Sequence, residues 1–213
     1  MAELDPGRAL AHEDLCRFLA ACYYEPCAEF GEEKLFDSML AAASQIDPEL
    51  ADLARQLGED FAAEELQTLL VDYARLFLGP GEVLARPYGS FWLSGDKTVM
   101  QESTLAVLDL YQQGGFDLDE GFMEVPDHVA VELEFLYLLT FQRHQAQLAG
   151  QEEARLAAEQ LQARFLGEHL GVWIDSFSAA LEAGAETAFY RHLAQLTRRF
   201  VGMQREGLEG RRA

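Results

Sequence analysis

The sequence predicts an all-α protein: a single, bundle-like helical domain of about eight to ten helices in two closely packed halves. Three observations predict it. Apolar residues recur at three-and-four spacing over most of the chain, Pro and Gly signals mark where those segments start and stop, and no alternating series reads as a strand. With 213 residues, 49% of them hydrophobic, the chain can bury one substantial core. The layout expected is an N-terminal helical half over about residues 8–80 and an aromatic loop over 81–97. A C-terminal helical half follows over about 98–205, and a frayed tail over 206–213.

Each element has its own signal. Asp5-Pro6 is an N-cap followed by proline in the first turn, and Leu10, Leu15, Phe18, Leu19 and Cys22 then share one broad face until Pro26 stops the helix. A second helix is expected over about Phe30–Ala43, with Leu35, Phe36, Met39 and Leu40 turned inward. Asp47-Pro48 restarts a third. The segment EELQTLLVDYARLFL makes a fourth through Leu66, Leu69, Leu70, Tyr73 and Phe77, closed by Gly79-Pro80-Gly81.

Residues 81–97 break the pattern with glycines, Pro87 and the aromatics Tyr88, Phe91 and Trp92, and read as a long ordered loop. Structureless loops of that length are uncommon and often functional. Helix is expected again over about Val99–Gln113. A second loop, FDLDEGFMEVP, leads to a helix opening at Asp127-His128. Val129, Leu133, Leu136 and Leu139 form its core seam, and Val131, Phe135, Tyr137 and Leu138 widen it until the helix reads as central. Further helices follow over about Glu152–Phe165, Val172–Ala183 and Glu186–Met203.

Charge narrows the function classes. Sixteen basic against 37 acidic residues give a net charge of −21, a field that repels phosphate backbones and anionic lipid and favours cationic ligands. No run of 18 apolar residues is present, so no stable membrane insertion is expected, and no basic-then-apolar leader opens the sequence. The odd set Cys16, Cys22 and Cys27 argues for a reducing cytoplasm over a disulfide framework.

Metal and catalytic motifs fail one by one. His12, Cys16, Cys22 and Cys27 lack the paired knuckles of structural zinc, and buried small hydrophobes are the default for such cysteines. A carboxylate-bridged di-iron bundle needs Glu-x-x-His. The residues three before the five histidines are Ala9, Val125, Phe141, Leu166 and Phe189, none of them Glu. Ser90 has no Gly-x-Ser-x-Gly elbow, and neither a phosphate-binding P-loop nor a dinucleotide fingerprint is present. No metal and no cofactor are expected. The catalytic reading that is left is a hydrolase with His128 as base and Asp127 or Glu132 as its orienter, although adjacent helical residues point about 100° apart, which sets Asp127 poorly for that role.

Two features are left. Asp127 is placed to cap the helix it opens, and His128 and Glu132 are one turn apart, spaced to pair. Tyr88, Phe91 and Trp92 either plug the top of the core or wall a groove for an apolar helical ligand, with acidic groups at the rim selecting arginine. The residues alone leave both uses open. A small-molecule or nucleotide-binding regulatory protein, using the same loop as its pocket, is the alternative reading.

Four stretches, LFLGPG (76–81), PYGSFWL (87–93), MQESTLAVLDLYQQGGF (100–116) and EVPDHVAVELEFLYLL (124–139), resemble the TorD/DmsD/NarJ family of redox-enzyme maturation chaperones, nearest the TorD/DmsD branch. The resemblance covers about residues 8–205. It implies a TorD/DmsD-like, all-helical, non-enzymatic cytoplasmic chaperone, monomeric or homodimeric. Its partners would be the twin-arginine signal peptide and precursor of a molybdopterin-dependent oxidoreductase subunit, held from the Tat translocase until cofactor insertion. By position, Tyr88, Ser90, Trp92, Glu124, Asp127, His128 and Glu132 are the residues expected to bind the peptide. Members often show Glu-Pro-x-Asp-His; here proline stands next to the aspartate, as Glu124-Val125-Pro126-Asp127-His128, and Tyr88 stands where some carry Trp.

Overall fold

The computed structural model describes residues 6–79, 83–94, 99, 102–118 and 124–209. Among the described residues the regular structure is helical: α1 (Pro6–Cys22), α2 (Glu29–Glu32), α3 (Leu35–Ile46), α4 (Pro48–Ala63), α5 (Leu66–Tyr73, running on as a π-helical turn, Ala74–Leu78) and α6 (Gly89–Leu93). Then come α7 (Glu102–Gly114), α8 (Val129–Leu148), α9 (Glu152–Glu168), α10 (Leu170–Gly184) and α11 (Ala188–Glu209).

Helix α8 is the hub. It packs along α1 on one side and α9 on the other, while α3 rests on α1 and α4, and α11 closes against α4, α9 and α10. Val129, Leu133, Leu136 and Leu139 are fully buried, as the periodicity requires, and so are Ala130, Val131 and Phe135. Phe135 meets Tyr111, Phe116 and Phe165 with ring centroids 4.7, 5.6 and 5.0 Å away. A second aromatic group joins α1 to the later helices: Tyr23, Phe77, Phe177 and Tyr190 pack on one another, and Tyr23 donates a buried 2.8 Å hydrogen bond to Thr197 Oγ1 of α11. Cys16 and Cys22 belong to this apolar interior. His12 stacks on Phe200 and bonds Gln204 Nε2 at 2.9 Å through Nδ1.

Helix boundaries follow local chemistry, with corrections. Asp47 caps α4 as its sequence predicts, its Oδ1 accepting from the amides of Glu49 and Leu50 at 3.0 and 3.4 Å. The expected helix over 30–43 is instead broken: α2 ends after one turn, and Lys34 adopts the left-handed φ of 56° before α3 begins. Leu10, expected inward, is 51% exposed, because the apolar face of α1 is set by Ala11, Leu15, Leu19 and Cys22. Residues 89–93, expected as loop, form α6. Helix α11 runs to Glu209 where fraying was expected after 205, because Leu208 is buried. Asp5, Pro80 and Gly81, expected as helix signals, lie outside the described residues, as do 95–98, 119–123 and 210–213.

The start of α11 is held from afar. Asp72 Oδ2 accepts from the Glu186 and Thr187 amides and the Thr187 hydroxyl at 3.0, 2.8 and 2.8 Å, and Glu64 Oε1 accepts from the Ala188 amide at 2.9 Å. Orphan amides of a helix start are thus satisfied by another segment's carboxylates. Gly171 lets α9 and α10 join tightly: a Cβ there would fall 2.3 Å from the Leu166 carbonyl oxygen.

Candidate functional site

The stretches PYGSFW and VPDHV, about 40 positions apart in the chain, meet in a short antiparallel bridge between Tyr88 and His128. The Gly89 amide donates to the Asp127 carbonyl and the Val129 amide to the Pro87 carbonyl, both at 2.8 Å. Asp127 is fully buried, and its Oδ2 accepts from the Ser90 amide at 2.6 Å and the Thr104 hydroxyl at 3.3 Å. This corrects the capping expectation. Asp127 caps α6, while α8 is capped by His128, whose Nδ1 accepts from the Ala130 amide at 3.2 Å. The extended backbone of His128 (ψ 140°) is what brings its ring over that amide. The neutral ring therefore carries its proton on Nε2.

The expected pairing of His128 with Glu132 is also corrected. Glu132 is fully buried and points to α10. Its Oε2 accepts from Trp173 Nε1 at 3.1 Å, and its Oε1 stands 3.0 Å from His169 Nδ1, an oblique electrostatic contact rather than a well-aligned hydrogen bond. His169 Nε2 approaches the Ser103 carbonyl at 3.1 Å, which ties in the start of α7. Burial pushes the Glu132 carboxyl up, against the opposing pull of His169 and Trp173. Burial alone would lower His169, but the Glu132 carboxylate outweighs it and the net direction is up. Gly89 sits over this cluster: a Cβ would lie 2.9 Å from both Glu132 Oε1 and Trp173 Nε1. Glu132, Asp127 and Ser90 thus hold α6, α7, α8 and α10 together beneath the surface.

The solvent side of the junction is aromatic and acidic. His128 stacks on Tyr24 of the segment after α1, centroids 6.1 Å apart and 18° between planes, and Tyr88 meets its ring edge-on at 5.5 Å. Each tyrosine reaches a carboxylate: Tyr24 donates to Glu134 Oε1 at 3.0 Å and Tyr88 to Glu124 Oε2 at 3.2 Å. Burial and then the Glu124 charge raise Tyr88 to about 12, and the same two causes raise Tyr73 to about 12, which places Tyr73 in the same field. Burial lowers His128 to about 4, so the imidazole is uncharged at neutral pH. From Tyr24 a groove of about 450 Å³ opens between α1 and α8, lined by Arg17, Ala20, Ala21, Phe116, Glu134, Tyr137 and Leu138.

The residues singled out in the sequence therefore separate. Tyr88, Glu124 and His128 share the acidic aromatic face; Ser90, Asp127 and Glu132 support it from within. Trp92 turns away, its Nε1 bonded to the Arg86 carbonyl at 2.8 Å and its ring packed against Phe177, so it plugs the core. Tyr24, Tyr73 and Glu134 were not anticipated. Tyr24 lies just beyond a helix end, and Glu134 was masked by the apolar run around it.

Comparison with known proteins fits this arrangement. The family described as nitrate reductase delta subunit matches residues 43–179, a span that contains both stretches of the junction. The chain belongs to this family. The family groups the TorD- and NarJ-type chaperones of redox-enzyme maturation, which are not enzymes. Chaperone protein TorD of Shewanella loihica is 25% identical over 182 residues, covering 83% of this chain and 80% of the relative. The TorD of Vibrio cholerae is 24% identical over 204 residues, covering 95% and 86%. The TorD of Photobacterium profundum reaches 30% over 122 residues, covering 57% and 55%. A crystal structure of a redox enzyme maturation protein from Archaeoglobus fulgidus superposes with a TM-score of 0.55 over 89% of this chain and 93% of that one. At 21% identity, that likeness establishes the TorD-like helical fold. No helix among the described residues is long and apolar enough to cross a membrane.

Proposed function

We propose that this maturation chaperone works in the cytoplasm and binds the twin-arginine signal peptide of a molybdopterin-dependent oxidoreductase subunit, delaying Tat export until the cofactor is inserted. The observation that carries the reading is the pair of phenol–carboxylate contacts, Tyr88–Glu124 and Tyr24–Glu134, on either side of His128. Carboxylates receive guanidinium groups through paired hydrogen bonds, and aromatic rings accept their flat faces. A neutral imidazole between them adds no positive charge to repel arginine. The groove along α1 and α8 offers apolar walls to the rest of the peptide. The same carboxylates disfavour nucleotide phosphates, which sets the regulatory nucleotide-binding alternative behind this one. Partners on this reading are the signal peptide and its precursor protein; the chaperone brings no cofactor of its own and acts as a monomer or homodimer. Calorimetry with the cognate signal peptide, and with its Arg-Arg changed to Lys-Lys or Ala-Ala, tests it. Weaker binding along that series is the expected result, and equal affinity throughout would overturn arginine recognition.

A further inference from the structure

Carboxylates on this surface differ in whether their charge is already used. In the groove between α5 and the start of α11, Asp72 serves three donors of Glu186 and Thr187 and pairs with Arg75 at 2.7 Å, and Glu64 caps Ala188. Those acids are engaged by the fold. Glu134 is different. It stands half-buried on the wall of an apolar groove, and the neutral phenol of Tyr24 is the partner it has there. Among the described residues it meets no cation. Arg17, the one basic group lining the groove, pairs with Asp14 at 3.6 Å and lies over the Tyr137 ring at 5.7 Å.

A partly desolvated carboxylate without a counter-cation is a poor arrangement for the free protein and a good one for a complex, because a guanidinium would restore the lost solvation and meet little competition. The groove's shape extends the argument. Beyond Glu134 its wall continues through Tyr137 and Leu138, and Phe141 stacks on Tyr137 at 6.1 Å while remaining 36% exposed. Positions 134, 137, 138 and 141 fall on one face of α8. A charged entrance thus leads onto an apolar stripe.

We infer that Glu134 is a second cation-binding position, separate from Glu124, that takes a guanidinium of the bound peptide while the apolar residues beside that arginine lie over Tyr137, Leu138 and Phe141. The inference rests on the peptide-binding reading above and adds to it a site, a side-chain class and a direction. It sets the arginine end beside His128 and runs the apolar segment along α8.

The test is a double-mutant cycle by calorimetry on the full chain. Glu134→Gln is measured against the twin-arginine peptide and against peptides with each arginine singly replaced by Gln. Loss of a charge-assisted pair predicts roughly tenfold or greater weakening of the unaltered peptide. One of the singly substituted peptides shows no further loss, since its partner is already gone. Leu138→Lys, which sets an ammonium one turn from Glu134 while keeping the carboxylate, gives a similar loss. Circular dichroism of both variants should match the unsubstituted chain. Unchanged affinity in Glu134→Gln, or losses that multiply independently for both peptides, overturns the site while leaving the peptide-binding reading intact. Failure of the unsubstituted chain to bind the peptide removes both.

Discussion

Asp127 Oδ2 accepts a 2.6 Å hydrogen bond from the amide of Ser90, 37 positions earlier in the chain. Through it the opening of α8 caps α6, and the aromatic face is fixed to the core. Asp127→Ala removes the carboxylate acceptor of the buried Ser90 amide, at a cost of about 1–3 kcal/mol. Asp127→Asn keeps an acceptor oxygen and is expected to cost less. Urea unfolding ranks the two, and signal-peptide affinity should fall in the same order as the Tyr88 bridge loosens.

Acid should weaken the fold through His128. Its ordinary pKa of 6.5 falls to about 4 on burial, so between those values the unfolded chain binds the proton and the folded chain does not. Stability contributed by the neutral ring is present above 6.5 and is lost as pH falls toward 4. A shift of that size corresponds to at most about 3 kcal/mol. Protonation would also end Nδ1 acceptance from Ala130. His128→Asn, which keeps a short polar cap, should flatten this part of the profile; an unchanged difference in stability between pH 7 and pH 4.5 would contradict the assignment. Glu132 and His169, both raised, act in the opposite direction, so the comparison with the variant isolates His128.

Gly89→Ala sets a methyl group 2.9 Å from Glu132 Oε1 and Trp173 Nε1. Either the Glu132 pair or the Tyr88–His128 bridge must shift, at a cost of about 1–3 kcal/mol. Thermal denaturation should show the loss, with altered fluorescence from Trp173 marking where it occurs.

Lys34→Gly should stabilise the protein. Lys34 holds a φ of 56°, a conformation costing a non-glycine residue about 1 kcal/mol, and its side chain is exposed. A gain of up to about 1 kcal/mol in chemical denaturation is expected, with peptide affinity unchanged.

The parts of the fold that were legible in the sequence are those decided by neighbours in the chain. Asp47 needs only the two amides that follow Pro48, and the seam from Val129 to Leu139 needs only its own spacing. The parts that were not legible depend on partners chosen by tertiary packing. Helical spacing offered Glu132 the neighbouring His128, yet the carboxylate found His169 and Trp173 on α10. Asp127 had its own helix to cap, but the Pro87 carbonyl and the His128 ring took the first two amides of α8 and left the carboxylate to Ser90. Tyr24 acquires its place only when the end of α1 lands against α8, which no pattern within α1 can announce.

The buried hydrogen bond from Tyr23 to Thr197 joins residues 174 positions apart. During synthesis α1 leaves the ribosome early, with its apolar face satisfied only in stages as α3 and then α8 appear, and this bond waits for α11. Premature termination before α11 leaves Tyr23 without Thr197 and Phe77 without Tyr190, and should yield a product that aggregates.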